Sequence, residues 1–193
     1  MSPAAPNSQA IRERLAELIK ANALRFGDFT LASGQKSTYF IDGKQVTLEA
    51  EGAWCIGQLM LAEVVAAGAE AAGGMTLGAD PIVGATLAAA GQAGVPLKGF
   101  VVRKERKDHG MGDQVAGPLP KGATVVMLED VVTTGGMTLK AIEAVERECE
   151  AKIVRVVAVV DRLQGARQNI EAAGYQFAAL FTIEELGVKP AEG

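Results

Sequence analysis

The sequence predicts an α/β fold: a central, mostly parallel sheet flanked by helices. Three observations predict it. From about residue 51 onward, short apolar runs alternate with helical patterns, the order that βαβ units produce. Residues 154–160 read Val-Arg-Val-Val-Ala-Val-Val, a nearly continuous β-branched run of the kind expected in a parallel strand buried on both faces. Residues 26–48 break the alternation with Gly, Ser, Thr and the aromatics Phe29, Tyr39 and Phe40, so they predict short strands and turns. All 193 residues then form one domain.

The elements follow in order. Residues 8–24 place Ile11, Leu15, Leu18 and Ile19 among Arg and Glu, an amphipathic helix with Ser8 as N-cap. Residues 51–67 form a strongly apolar helix through Trp54, Ile56, Leu59, Met60 and Val64. A brief strand at 75–77 ends at Gly78, and a small-residue helix covers 82–93. Residues 97–102 form a strand that runs into a basic loop. Residues 124–128 form a core strand, and 138–151 a helix with Ile142, Val145 and Cys149 on one face. After the 154–160 strand come a helix at 164–173 and a strand at 176–181. Thr182-Ile183-Glu184-Glu185 matches a capping box opening a short last helix.

Composition narrows the function classes. A net charge of −4 argues against a polyanion-binding protein, so any basic site must be local. Cys55 and Cys149 both fall in helical patterns, with no Cys-x-x-Cys pair and no Cys/His cluster. Neither a disulfide framework nor a structural zinc is expected, and a reducing cytoplasm suits the chain. Residues 1–7 lack the charge and apolar core of a targeting signal, and no uncharged apolar run approaches a membrane span.

The most informative stretch is residues 125–138. It reads as a buried strand, the acids Glu129 and Asp130, then Val131 and Val132, a Thr133-Thr134-Gly135-Gly136 turn, and Met137-Thr138 opening a helix. Ligands of parallel sheets bind beyond the carboxyl ends of the strands. Adjacent carboxylates there suit two neighbouring ribose hydroxyls. A turn without bulky side chains lets backbone amides approach a phosphate, and the helix start adds free N–H donors and a positive dipole end.

Other strand ends carry further candidates. Residues 103–112 read Arg-Lys-Glu-Arg-Lys-Asp-His-Gly-Met-Gly, with four cations and the chain's single histidine, His109. Such a loop is expected to be mobile and able to close over a pyrophosphate, neutralising it and excluding water; a merely solvated charged loop is the plainer alternative. Asp161-Arg162 ends the 154–160 strand. Arg162 either grips a substrate carboxylate in bidentate fashion or forms an internal ion pair with Asp161. At Gly78-Ala79-Asp80-Pro81, Asp80 is expected to cap the next helix with Pro81 at its first position, while the Gly-Ala backbone can face a pyrophosphate.

The 125–138 stretch resembles the signature of the type I phosphoribosyltransferases, which bind 5-phosphoribosyl 1-pyrophosphate (PRPP). Further segments resemble the branch of that family that uses orotate: Phe26 to Gly34, Lys36 to Asp42, Arg103 to Gly110, and Val160-Asp161-Arg162. The resemblance spans residues 24–187 and implies the type I phosphoribosyltransferase fold, with a small N-terminal hood at about 24–48 and the core at about 51–187. It implies transfer of ribose 5-phosphate from PRPP to orotate, giving orotidine 5′-monophosphate and pyrophosphate, as a step in pyrimidine biosynthesis. It implies Mg²⁺ bound mainly through PRPP, and a homodimer whose loop residues are shared between subunits, with no nucleic-acid or membrane partner.

Site roles are implied residue by residue. Lys107, His109, Glu129 and Asp130 would be catalytic. PRPP would be held by these four with Arg103, Lys104, Val131, Val132, Thr133, Thr134, Gly135, Gly136 and Met137. Orotate would meet Thr133, Arg162 and Phe40 or a neighbour of Phe40 in the hood. Three departures from the family pattern stand out. Ala32 replaces a common Lys, with Lys36 a possible substitute. Asp80-Pro81 replaces a Lys-Gly, and Glu129 replaces an Asp. A transferase for another base lacks a use for Arg162. A PRPP-sensing regulator would need a second basic surface, which this acidic chain does not offer. Any decarboxylase partner is expected to be a separate protein.

Overall fold

A computed structural model describes residues 8–30, 36–105 and 113–188. Helix α1 (Ser8–Leu18) buries Ile11, Leu15 and Leu18 at helical spacing. A π-helical turn (Ile19–Ala23) continues it, burying Ile19 and Ala23. Leu24 then opens β1 (Leu24–Thr30), so the expected helix over 8–24 gives way to a strand at its last residue. Strand β1 pairs antiparallel with β2 (Lys36–Ile41), and this hairpin is the hood. A one-turn helix α2 (Lys44–Thr47) leads to α3 (Ala50–Ala66), whose first amides bond the Glu49 carboxylate through Glu51 N (3.1 Å) and Gly52 N (2.8 Å).

The core follows as β3 (Ala71–Met75), α4 (Ala79–Ala93), β4 (Lys98–Val102), a two-residue β5 (Val115–Ala116), β6 (Thr124–Val132), α5 (Gly136–Cys149), β7 (Lys152–Asp161), α6 (Ala166–Ala172) and β8 (Phe177–Thr182). The sheet order is β5-β4-β3-β6-β7-β8, parallel throughout except for the edge pair β4–β5. One face packs Val126, Leu128 and Val159 against Ile56, Met60 and Ile82 of α3 and α4. The other packs Val125, Met127 and Val156 against Ile142, Val145 and Ile170 of α5 and α6. Among the described residues no helix is long and apolar enough to cross a membrane.

Several expectations are corrected. The strand expected at 75–77 lies at Ala71–Met75, and residues 76–78 form a turn. Ala71-Ala72-Gly73-Gly74 has poor strand propensity. A Cβ on Gly73 would overlap the Phe100 carbonyl oxygen and one on Gly74 the Leu128 carbonyl oxygen, so packing selects glycine there. Helix α4 begins at Ala79 with Gly78 as its N-cap residue, so Asp80 lies inside the first turn and caps nothing. Helix α5 begins at Gly136, two residues before Thr138. Thr182 and Glu185 exchange the reciprocal bonds of a capping box (Thr182 N to Glu185 Oε2, 2.7 Å; Glu185 N to Thr182 Oγ1, 3.3 Å), yet the chain makes only a turn there. Of the apolar residues of α3, Ile56, Leu59, Met60 and Val64 are buried, while Trp54 is 49% exposed. Strand β5 and helix α2 had no counterpart in the sequence pattern.

Candidate active site

The topology defines where a ligand fits. From β3 the chain crosses through α4 to β4 on one side, while from β6 it crosses through α5 to β7 on the other. The two helices therefore cover opposite faces, and the strand order reverses between β3 and β6, the crevice where open α/β sheets bind ligands. Pairing of β3 with β6 stops at Gly73↔Met127, whereas β6 stays paired with β7 to Val132↔Asp161. The end of β6 is thus free on its β3 side. Arg103, Gly78, Glu129 to Thr133, and Arg162 follow or end β4, β3, β6 and β7 at this same edge.

Glu129 and Asp130 lie within β6, which runs on to Val132. As successive strand residues they leave on opposite faces. Glu129 turns toward α5, is 9% exposed, and accepts a hydrogen bond from Thr138 Oγ1 at 3.0 Å. Burial raises its pKa from 4.5 to about 7; the Thr138 bond works against this and the Asp130 charge adds to it. Asp130 turns toward the hood side. Its Oδ1 accepts the Val131 amide (2.8 Å), and a Cβ built on Gly78 would lie 2.6 Å from that oxygen. Gly43 closes on it from the other side, and the Asp130 charge helps to raise the pKa of Lys44, whose ammonium pairs with Asp42 at 3.0 Å.

The turn after β6 leaves room for an anion. Gly135 takes a left-handed conformation (φ 78°) as the N-cap residue of α5, with no side chain bonding the first-turn amides. Thr134, Gly136 and Met137 are exposed around it. Asn169 of α6 braces the turn by donating from Nδ2 to the Thr134 carbonyl (2.9 Å). The backbone amides and dipole of a 14-residue helix therefore open onto the crevice.

Arg162 follows β7, and its amide donates to the Val132 carbonyl (3.0 Å), which places it next to Thr133. It is buried at 8% exposure. The internal pair with Asp161 does not form: the Asp161 carboxylate accepts the Leu163 amide (2.8 Å). Instead Arg162 Nε donates to the Tyr39 hydroxyl (3.1 Å) with its guanidinium carbon 4.9 Å from the Tyr39 ring centre. Nη2 is buried with no hydrogen-bond partner among the described residues. Phe40, the neighbour of Tyr39 on β2, points to the opposite face of the hairpin, 42% exposed and 5.7 Å from Phe29 between ring centres. The structure does not bring Phe40 together with Arg162; Tyr39 stands there in its place.

On the basic loop, Arg103 and Lys104 are described, and Arg103 Nη1 donates to the Asp113 carbonyl (3.1 Å). Lys107 and His109 lie outside the described residues, as does Ala32. Lys36 is exposed, donating to Thr30 Oγ1 (2.9 Å). Asp80 keeps one buried carboxylate oxygen without a partner among the described residues, and burial raises its pKa. Among the described residues no three Asp, Glu, His or Cys side chains converge as a metal site. The donors present, the carboxylates of Glu129 and Asp130, fit a hard cation held chiefly by ligand oxygens.

Sequence reasoning covered Tyr39 only as an unnamed neighbour of Phe40, and missed Thr138 as a partner of Glu129, Gly43 with Lys44, and Asn169. Periodicity had marked β2 as an aromatic strand without saying which face each ring takes. Only the tertiary packing reveals these partners.

A family model described as a phosphoribosyl transferase domain matches residues 77–189, and the chain belongs to that family of transferases. Its relatives narrow this. It is 47% identical over 178 residues to an orotate phosphoribosyltransferase of Aquifex aeolicus, covering 91% of this chain and 97% of that one. To one from Rhodopirellula baltica it is 45% identical over 182 residues, covering 91% and 94%. The Mycobacterium tuberculosis orotate phosphoribosyltransferase in complex with PRPP superposes with a TM-score of 0.78 at 34% identity, over 92% of this chain and 99% of that one. The chain is a member of the orotate phosphoribosyltransferases. An adenine phosphoribosyltransferase of Leishmania donovani, at 16% identity and a TM-score of 0.60, shares the fold alone.

Proposed function

We propose that this chain transfers the ribose 5-phosphate of PRPP to N1 of orotate in the synthesis of UMP, using the crevice between β3 and β6. The C1′–oxygen bond to pyrophosphate breaks with its electron pair leaving on pyrophosphate. The C1′–N1 bond forms, and the N1 proton is lost. The phosphate of PRPP sits on the turn from Thr133 to Met137, held by first-turn amides of α5. The end of β6, with Val131 and Val132 as its backbone, carries Glu129 and Asp130 to the ribose hydroxyls, where their charge offsets the cationic ring of the transition state. Arg103, Lys104, Lys107 and His109 take the pyrophosphate. Mg²⁺, when bound with PRPP, neutralises pyrophosphate charge and makes it a better leaving group.

The observation that carries the choice of base is Arg162. A buried guanidinium with a free Nη2 beside Thr133 calls for an anion, and the carboxylate of orotate supplies one. A purine has none. Replacing Arg162 by Ala should raise the orotate KM by at least about tenfold, since a hydrogen bond to a charged group is worth about 1.5–3 kcal/mol. The PRPP KM should hold within about twofold. The measurement is orotate absorbance loss with PRPP and Mg²⁺; equal damage to both KM values would sink the assignment.

The active form is a homodimer in which the basic loop serves the partner's site. Its support is the face of α3, where Trp54, Gln58, Leu61 and Val65 recur at helical spacing beside the alanines of α4, leaving Trp54 and Val65 half exposed. A cytoplasmic setting suits the two free cysteines.

A further inference from the structure

We infer that Tyr39 is a positioning residue for orotate: through its hydroxyl and ring it holds the Arg162 guanidinium so that only the Nη edge is free for the carboxylate. The inference rests on the reading that Arg162 binds orotate, and deepens it. An arginine can offer a carboxylate either its side fork, Nε with Nη2, or its end fork, Nη1 with Nη2. Here the side fork is taken, because Nε already donates to the Tyr39 hydroxyl at 3.1 Å. Nη2 remains buried and, among the described residues, unpartnered, so the approach left to a carboxylate is end-on.

The arrangement is held from both ends. Strand β2 turns Tyr39 inward at 2% exposure, and the Ser37 hydroxyl donates to the Tyr39 carbonyl at 2.7 Å. On the other side, the Arg162 amide bonds the Val132 carbonyl (3.0 Å), the Asp161 carboxylate accepts the Leu163 amide (2.8 Å), and the Asp161 carbonyl accepts the Ile183 amide (2.8 Å). Leu163 takes a left-handed φ of 58° in this tight turn. A long side chain that would otherwise lose its rotamer freedom on binding is therefore ordered before the ligand arrives, which favours affinity. The hood thus contributes to base selection through a residue that faces the arginine from the opposite sheet. A base without a carboxylate gains nothing from it.

The test is Tyr39→Phe in the full-length protein, which keeps the ring and its packing and removes only the hydroxyl. The orotate KM should rise about tenfold, the value expected for one charge-assisted hydrogen bond. The PRPP KM and the melting temperature should stay near wild type. A double-mutant cycle with Arg162→Ala separates positioning from a general structural role: with the arginine gone, Tyr39→Phe should change the orotate KM by less than about twofold. An unchanged orotate KM in Tyr39→Phe, an equal rise in the PRPP KM, or the full effect persisting in the Arg162→Ala background would each overturn the inference. Should Tyr39→Phe melt far below wild type, Ser37→Ala, which loosens Tyr39 without touching the arginine, takes its place with the same expectations. If Arg162→Ala itself leaves the orotate KM unchanged, the underlying reading falls; if it raises the KM while Tyr39→Phe does not, only the role of Tyr39 falls.

Discussion

Glu129→Gln should make the ligand-free protein more stable at pH 8 and leave it nearly unchanged at pH 5. In the fold the carboxyl is 9% exposed, with the Thr138 hydroxyl at 3.0 Å, and burial raises its pKa from 4.5 to about 7. At 1.36 kcal/mol per pH unit the gap corresponds to about 3 kcal/mol. The sign follows from proton uptake. Below about pH 4.5 both folded and unfolded states hold the proton, and the stability is fully present. Between 4.5 and about 7 the unfolded carboxyl ionises while the folded one keeps its proton, so stability falls as pH rises. Above about 7 the folded carboxyl is ionised as well, and the loss is complete. Glutamine keeps the shape and an oxygen for Thr138 but cannot ionise.

Thermal melts of both proteins across pH 5 to 8 read this out. For a chain of this size about 3 kcal/mol corresponds to roughly 6–12 °C, approached at pH 8 and mostly absent at pH 5. A constant offset between the two proteins over the whole range would refute the reasoning. Binding adds a second readout with the opposite sense. The ribose hydroxyls and a bound cation favour the ionised carboxylate, so wild-type affinity for PRPP should improve as pH rises through 7, by up to about tenfold per pH unit below it. Glu129→Gln should bind weakly and lose that dependence.

Two further outcomes concern the phosphate turn and the basic loop. Gly135→Ala forces a Cβ into a left-handed conformation and to within 3.0 Å of Ile170 Cγ1; a loss of about 1–2 kcal/mol in denaturant melts and a weaker PRPP Kd are expected, and unchanged binding would remove the turn from the phosphate site. Lys107→Ala should lower kcat/KM by about tenfold or more if the loop delivers a desolvated charge, and an unchanged rate in the steady-state assay would mean that the loop is only solvated.

How far the fold was legible depended on where side chains carried the signal. The β-branched run of β7 and the apolar start of β6 announced themselves, and so did the Thr-Thr-Gly-Gly turn. Strand β3 did not, because its backbone is so closely packed by Phe100 and Leu128 that it reads as Ala-Ala-Gly-Gly. The same closeness misplaced the start of α4: Gly78 packs on Asp130, which puts the helix N-terminus there and leaves Asp80 one step inside it. Arg162 was visible with two equal readings. The Asp161 carboxylate turns to the Leu163 amide and so leaves the ion pair unmade, while the bond of Arg162 to Tyr39 spans 123 residues and has no local signature.

That packing also says how two acids on opposite faces of one strand can serve one sugar. Consecutive residues in a fully paired strand point apart, and a flanking strand would block any group reaching both. Here β3 leaves β6 after Gly73↔Met127 and turns away at residues 76–78. A ribose seated in that gap meets the end of β6 edge-on, with Glu129 reachable from the α5 side and Asp130 from the side where Gly43 and Gly78 approach. Glycine at position 78 leaves Asp130 undisturbed, since a Cβ there would lie 2.6 Å from its Oδ1 and force the carboxylate to shift. Under the proposed function, the edge of β6 that β3 leaves unpaired after Gly73↔Met127 is what would let both carboxylates reach a single ligand.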